Sequence, residues 1–259
     1  MLMSEKTPID IVRASREDRF LARDIIAGLI TDFQELHGDR AQGDDPAIIG
    51  GVGLLGEQPV TVIAINRGAE IAEKLQTRNG SPEASGYRKA LRLMQQADRF
   101  NRPIITFINT PGAFPGKTAE EGGVGQAIAE SILQSMSFKV PMIAVIYGEG
   151  GSGGALALAT SNRVWMFEHA IYAMLSPEGF ASILFKDAKR ADEAAALLGL
   201  TPQELLTAHV VDRVIPEMDD HTAFYEQLRL DFKNEIADLQ KLSTTELIAQ
   251  RQQRFAQFS

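Results

Sequence analysis

Three stretches of the chain repeat one pattern. "PVTVIAINRG" (Pro59 to Gly68), "PIITFINTPG" (Pro103 to Gly112) and "PMIAVIYGEG" (Pro141 to Gly150) each open on proline, run through β-favouring apolar residues and reach glycine nine positions later. Apolar runs with so little polar alternation predict strands buried on both faces, as in a parallel sheet. Proline at the opening position is tolerated because the ladder has not begun there. Between these runs the period lengthens. "GYRKALRLMQQADRF" sets Ala90, Leu93, Met94, Ala97 and Phe100 on one helical face and Arg88, Arg92 and Arg99 on the other, and "GQAIAESILQSMSF" reads the same way. Strand and helix recurring roughly every 40 residues predict α/β architecture with right-handed crossovers.

Beyond the third repeat, "RVWMFEHAIYAML" reads as further strand, and "RADEAAALLG" and "TPQELLTAHV" as helices, the second with Thr201 as N-cap and Pro202 at its first position. The ends, residues 1–37 and 219–259, read as amphipathic helical flanks on a single domain spanning 1–259. They would cover the core or dock a partner.

Composition narrows the function. An apolar share of 44% suffices for a large core, and no run reaches the ~18 apolar residues of a membrane span. The start, "MLMSEKTPIDIVRASRED", is charged too early for a secretory signal, and the absence of cysteine fits a reducing cytoplasm. A net charge of −8 argues against nucleic-acid binding, and four scattered histidines (His37, His169, His209, His221) against a zinc site.

The densest chemical signal is "IYGEGGSGGALALA", with five glycines between Gly148 and Gly154. As a dinucleotide fingerprint it draws support from Glu168, but the following helix is too short and Glu149 would repel a pyrophosphate. "GAFPGKT" (Gly112 to Thr118) resembles a P-loop but has the wrong spacing, and Pro115 within it and Pro111 just before it lack N–H groups. Read as G-x-S-x-G, the stretch makes Ser152 a hydrolase nucleophile, with Asp187, Asp212, His209 and His221 as possible triad partners. Read as bare backbone at a helix N-terminus, it offers N–H groups to a developing negative charge, an oxyanion hole. So many glycines exceed what close packing alone requires, which favours this last reading. "NTPGAFPG" poses the same choice between a second set of amides at Gly112 and Ala113 and an ordinary turn.

The blocks "YRKALRLMQQADRF", "PIITFINTPGAFPG", "AEEG", "IYGEGGSGGALALA", "SPEGFASILFKDA" and "AHVVDRVIPE" together resemble the alpha subunits of bacterial acetyl-CoA carboxylase carboxyltransferase. The resemblance runs from about Leu36 to the C-terminus and extends to the wider crotonase superfamily. It implies a crotonase-like spiral of repeated strand–strand–helix units with flanking N- and C-terminal helices. It implies transfer of carboxylate from carboxybiotin, on a separate carrier protein, to acetyl-CoA, giving malonyl-CoA for fatty acid synthesis. The implied partners are a zinc-bearing beta subunit in an α2β2 heterotetramer, the biotin carboxyl carrier protein and biotin carboxylase, with no nucleic acid and no membrane. By position, Gly153 and Gly154 match the glycine pair whose amides stabilise the negative oxygen forming on biotin. Gly112 and Ala113 match the facing loop, and Gly150 and Gly151 adjoin the substrate. No protein general base is then needed, Ser152 is a spacer and Glu149 a structural acceptor.

Departures from the family pattern are Asn109 for Asp, Phe114 for Tyr and Gly122 for Arg, with "NRG" (Asn66 to Gly68) at a "QKG"-like segment. The missing Arg keeps open an assembly partner with a decayed site, and Ser152 keeps open the hydrolase. Lys74, Arg78, Arg88, Lys89 and Arg92 read mostly as a solvated helix face, with contact to CoA phosphates or an acidic carrier protein as the alternative.

Overall fold

A computed structural model describes residues 6–17 and 19–258; the parts of the expected flanks at residues 1–5, 18 and 259 lie outside the described residues. The chain begins with α1 (Pro8–Arg16), α2 (Ala22–Leu29) and β1 (Thr31–Glu35), followed by the hairpin β2 (Ile48–Leu55) and β3 (Gln58–Ile65). Helices α3 (Ile71–Gln76) and α4 (Ala84–Arg99) cross to β4 (Ile104–Thr110), and α5 (Lys117–Glu121) and α6 (Val124–Ser135) cross to β5 (Met142–Gly151). Then come α7 (Ser152–Ala159), β6 (Arg163–Phe167), β7 (Ile171–Ala173), α8 (Pro177–Leu184), α9 (Ala191–Leu198), α10 (Pro202–Thr207) and β8 (Arg213–Ile215). Two long helices, α11 (His221–Leu239) and α12 (Thr244–Ala256), close the described chain.

The sheet runs β1-β2-β3-β4-β5-β6-β8, with β7 pairing β5 off this path. The three proline-led repeats form the adjacent parallel strands β3, β4 and β5. Every residue of β4 is buried, which is why its sequence carries no polar alternation. The carbonyls of Pro103 and Pro141 accept from the Thr61 and Ile104 amides at 2.9 Å, so both prolines join the ladder only as acceptors.

Alternation along the strands assigns the layers. Thr106 Oγ1 donates to Leu158 O of α7 at 2.8 Å, whereas its neighbour Phe107 meets Phe232 of α11 edge-on at 5.9 Å. Trp165 of β6 stacks on the same Phe232 at 5.1 Å. Each such buried aromatic contributes on the order of 2–3 kcal/mol. The C-terminal flank therefore covers the core. Arg251 of α12, fully buried, ties it down by donating to Ser135 O, Phe138 O, Val140 O and Asn162 Oδ1.

Three expectations need correction. Residues 31–35, within the flank read as helical, form edge strand β1, antiparallel to β2. A short segment with alternating exposure gains more from pairing an open sheet edge than from a lone helical turn. Phe100, placed on the apolar face of α4, is the cap beyond its last turn and is 61% exposed, with the Arg102 guanidinium 5.3 Å from its ring. Of the basic residues read as a solvated face, Lys74 is exposed, whereas Arg78, before α4, and Arg88, Lys89 and Arg92 on it are internal clamps. Lys89 is fully buried and its Nζ donates to Ile48 O and pairs with Asp44 Oδ1, both at 2.7 Å. Arg88 pairs with Asp39 at 2.8 Å, Arg92 Nε donates to Gly38 O at 3.0 Å, and Arg78 pairs with Asp45. Together they pin the loop that precedes β2.

Candidate active site

Strand β5 pairs β6 over Ile143–Ile146 and β7 over Glu149–Gly151, so its last residues leave the main sheet and turn into α7. Most of its glycines have a packing reason. A Cβ on Gly148 would lie 2.5 Å from Asn109 Cγ, one on Gly150 would lie 2.9 Å from Tyr172 Cδ2, and one on Gly151 would lie 2.8 Å from Gly112 N. One on Gly154 would lie 2.5 Å from Tyr87 Oη and 2.7 Å from Ala113 N. Gly153 alone has room, with Ile128 Cγ2 nearest at 3.7 Å. The expectation that these glycines outnumber the needs of packing is thus corrected: four of the five are required by close approach.

Those approaches build a seam. The turn after β4 lies against the first turn of α7, bringing Gly112 and Ala113 to Gly151 and Gly154. No side chain caps α7, and the amides of Gly153 and Gly154, in its first turn, have no acceptor within the helix. Such first-turn N–H groups carry the positive end of the helix dipole. On the facing turn Gly112 sits at φ +134°, a conformation suited to glycine, and its amide donates to Thr110 Oγ1 at 3.0 Å. Its N–H is therefore engaged. The unengaged amide of that turn is that of Ala113, since Phe114 N donates to Pro82 O at 3.0 Å.

Two cavities flank the seam. One of about 400 Å³ is lined by Arg16, Arg67, Pro111, Glu149, Gly150 and Gly151 among others. The other, of about 440 Å³ and mainly apolar, is lined by Ser152, Gly153, Leu156, Tyr172, Met174 and Leu205 among others. The expected site residues are thus divided: Gly150 and Gly151 face the first cavity, Gly153 the second, and Gly112, Ala113 and Gly154 lie in the seam and line neither.

Glu149 is held as an acceptor. Arg16 Nε donates to it at 2.8 Å, Arg67 Nη1 at 2.6 Å, and Asn109 Oδ1 accepts from its amide at 3.0 Å. Arg16 also reaches Glu178 at 2.6 Å. The bond to Glu178 raises the Arg16 pKa, partial burial opposes it, and the bond to Glu149 adds to the rise. Neither arginine was singled out in the sequence, because each is far from Glu149 along the chain and no local pattern marks it. Tyr87 was also missed. It is fully buried and its hydroxyl has no hydrogen-bond partner. Burial, with Asp45 adding to it, raises its pKa well above the ordinary phenol value.

The hydrolase constellation does not form. Ser152 is exposed and at φ +53°, as a nucleophile elbow requires, but it has no hydrogen-bond partner among the described residues. Asp212 accepts from the Val164 amide at 2.7 Å, Asp187 caps the turn at Lys189 with a 3.0 Å bond, and His221 packs on the Phe20 ring at 5.0 Å. No histidine or acid lines the cavity beside Ser152. The fingerprint acid, Glu168, accepts from the Glu217 amide at 2.8 Å. Gly122, at the position of the family's Arg, receives the Arg88 guanidinium on its carbonyl at 2.9 Å. Among the described residues there is no metal-binding cluster, and no helix is long and apolar enough to cross a membrane.

Residues 2–259 match the family model described as acetyl co-enzyme A carboxylase carboxyltransferase-like. The acetyl-coenzyme A carboxylase carboxyl transferase subunit alpha of Streptococcus pneumoniae (strain Hungary19A-6) is 50% identical over 250 residues, covering 96% of this chain and 98% of that protein. Among solved structures, the transcarboxylase 12S core matches with a TM-score of 0.73 at 20% identity, over 90% of this chain and 44% of its own. The beta subunit of P. aeruginosa geranyl-CoA carboxylase matches with a TM-score of 0.66 at 14% identity, over 96% of this chain and 46% of its own. The chain thus spans under half the length of those two solved chains. The crotonase-like α/β fold expected from the sequence is borne out. The chain belongs to the acetyl-CoA carboxylase carboxyltransferase family, among its alpha subunits.

Proposed function

We propose that this chain is the biotin-side subunit of an acetyl-CoA carboxyltransferase, acting as one catalytic domain in the cytoplasm. The observation that carries the reading is the seam: the uncapped first-turn amides of Gly153 and Gly154 beside the turn that holds Ala113, with no side-chain acid–base pair nearby. Carboxybiotin, brought by a carrier protein that biotin carboxylase charges, supplies the carboxyl group for malonyl-CoA formation. The site's residues suit such a group. The apolar walls of Leu156, Tyr172 and Met174 take a neutral ring, and the amides at the end of α7 take an oxygen that gains negative charge.

The chain's own residues have three tasks. Gly151 and Gly154 let the Pro111–Ala113 turn close against α7, which fixes the amides before any ligand arrives. The amides of Gly153 and Gly154 then stabilise the developing oxyanion, each donor worth about 3–4 kcal/mol in a water-poor site. The Arg16–Glu149–Arg67 cluster anchors the end of β5 so that the amides keep their aim. The acetyl-CoA side of the site, and the zinc of the assembly, belong to a beta subunit in an α2β2 heterotetramer.

The test is malonyl-CoA-dependent carboxylation of free biotin by this chain alone and after mixing with a zinc-binding beta subunit. The reading expects activity in the mixture only. Turnover of acyl esters by the chain alone would replace it with the hydrolase.

A further inference from the structure

We infer that the Tyr87 hydroxyl is a side-chain donor of the oxyanion site, reaching the same ligand oxygen as the amides of Gly154 and Ala113. The inference rests on the carboxyltransfer reading above. Its first support is an unmet hydrogen bond. Tyr87 is fully buried, and its Oη has no partner. Its apolar neighbours, among them Ala84, Ala119, Val124, Ala127 and Ala157, would be satisfied by phenylalanine, so in this cluster the hydroxyl only costs stability. A buried polar atom left unpaired at one end of a helix points to a group that arrives later.

Its second support is placement. A single methyl on Gly154 would lie 2.5 Å from Tyr87 Oη and 2.7 Å from Ala113 N. The hydroxyl and that amide thus converge on the first turn of α7, where no side chain caps the Gly154 amide. Amides only donate. A phenol among donors finds its acceptor in the same oxygen they address. The phenol stays protonated at neutral pH, since burial and then Asp45 raise its pKa, and so keeps its proton to donate.

The experiment is Tyr87→Phe in the full chain, assembled with the beta subunit and compared with wild type. The thermal midpoint should hold or rise, because an unpaired hydroxyl is removed. The kcat for biotin carboxylation should fall about 100-fold, the scale of one lost oxyanion donor, with KM for malonyl-CoA little changed. Saturating free biotin should produce a near-ultraviolet tyrosine difference band in wild type that the variant lacks. Wild-type turnover in the variant, or a band that is absent from wild type or survives the substitution, overturns the inference. A wild-type complex without carboxyl transfer would instead refute the carboxyltransfer reading, and the difference band would still decide the role of Tyr87.

Discussion

Gly154 and Ala113 pack so closely that one methyl group added at Gly154 would lie 2.7 Å from the Ala113 nitrogen. The turn after β4 and the first turn of α7 are therefore a single unit, and the bare backbone at their meeting is a requirement of contact before it is one of chemistry. The neighbouring Gly153 is under no such constraint.

That contrast predicts opposite outcomes for two alanine substitutions. Gly154→Ala should destabilise the fold by about 1–3 kcal/mol through overpacking and should disable carboxyl transfer by prying the seam apart. Gly153→Ala should leave the thermal midpoint within about 1 °C of wild type, since its Cβ finds open space. Calorimetry on the two purified variants checks this, and equal midpoints would show that the seam tolerates the methyl.

The repeated strands were legible because β3, β4 and β5 are buried on both faces, and a residue pattern without polar alternation has few other solutions. The Thr201 cap was legible too, since its box with Glu204 is local. Strand β1 was not: its pairing depends on an open edge at β2, which no window of five residues reveals. At the site, the glycine run announced itself, but the sequence could not distinguish glycines demanded by neighbours from the one left open. The grip of Arg16 and Arg67 on Glu149 and the orphaned hydroxyl of Tyr87 are products of the tertiary fold. Tyr87 occupies an apolar position of an amphipathic helix and reads there as ordinary core.

In the proposed reading Glu149, paired with Arg16 and Arg67, anchors the end of β5 and transfers no proton. Glu149→Gln keeps the shape and two acceptor lone pairs but removes the charge between Arg16 and Arg67. It should cost roughly 3 kcal/mol of stability, as breaking a largely buried ion pair does. Below its unfolding temperature it should slow carboxyl transfer less than about tenfold, whereas loss of a general base costs about 10²–10⁴-fold. Paired thermal melts and pH–rate profiles measure both effects. A flattened basic or acidic limb in the variant would assign Glu149 to the chemistry.

Asp44 links stability to acid. Partial burial works to raise its pKa, but hydrogen bonds from Lys89, the Gly38 amide and His37 prevail and bring it down from 3.8 to about 2. A carboxyl depressed in the folded state contributes stability above its unfolded pKa and loses it as pH falls through the folded value. Its side chain is 37% exposed, so solvent screening holds the contribution to about 1 kcal/mol. Asp44→Asn should therefore lower the thermal midpoint by about 2–4 °C at neutral pH. The gap from wild type should persist down to about pH 5 and close toward pH 2. A gap independent of pH across that window would mean that the charge of Asp44 is not what pins the loop.

The central claim is that a backbone amide, and not the serine beside it, meets the reacting oxygen. Exchanging the amide at Gly153 for an ester, by placing glycolic acid at that position, deletes one N–H and adds no side chain. The direct measurement is kcat for biotin carboxylation by that ester protein and by Ser152→Ala, each assembled with the beta subunit. The account predicts a fall of about 100-fold for the ester and near-wild-type turnover for Ser152→Ala. Full activity in the ester protein with loss in Ser152→Ala would contradict it.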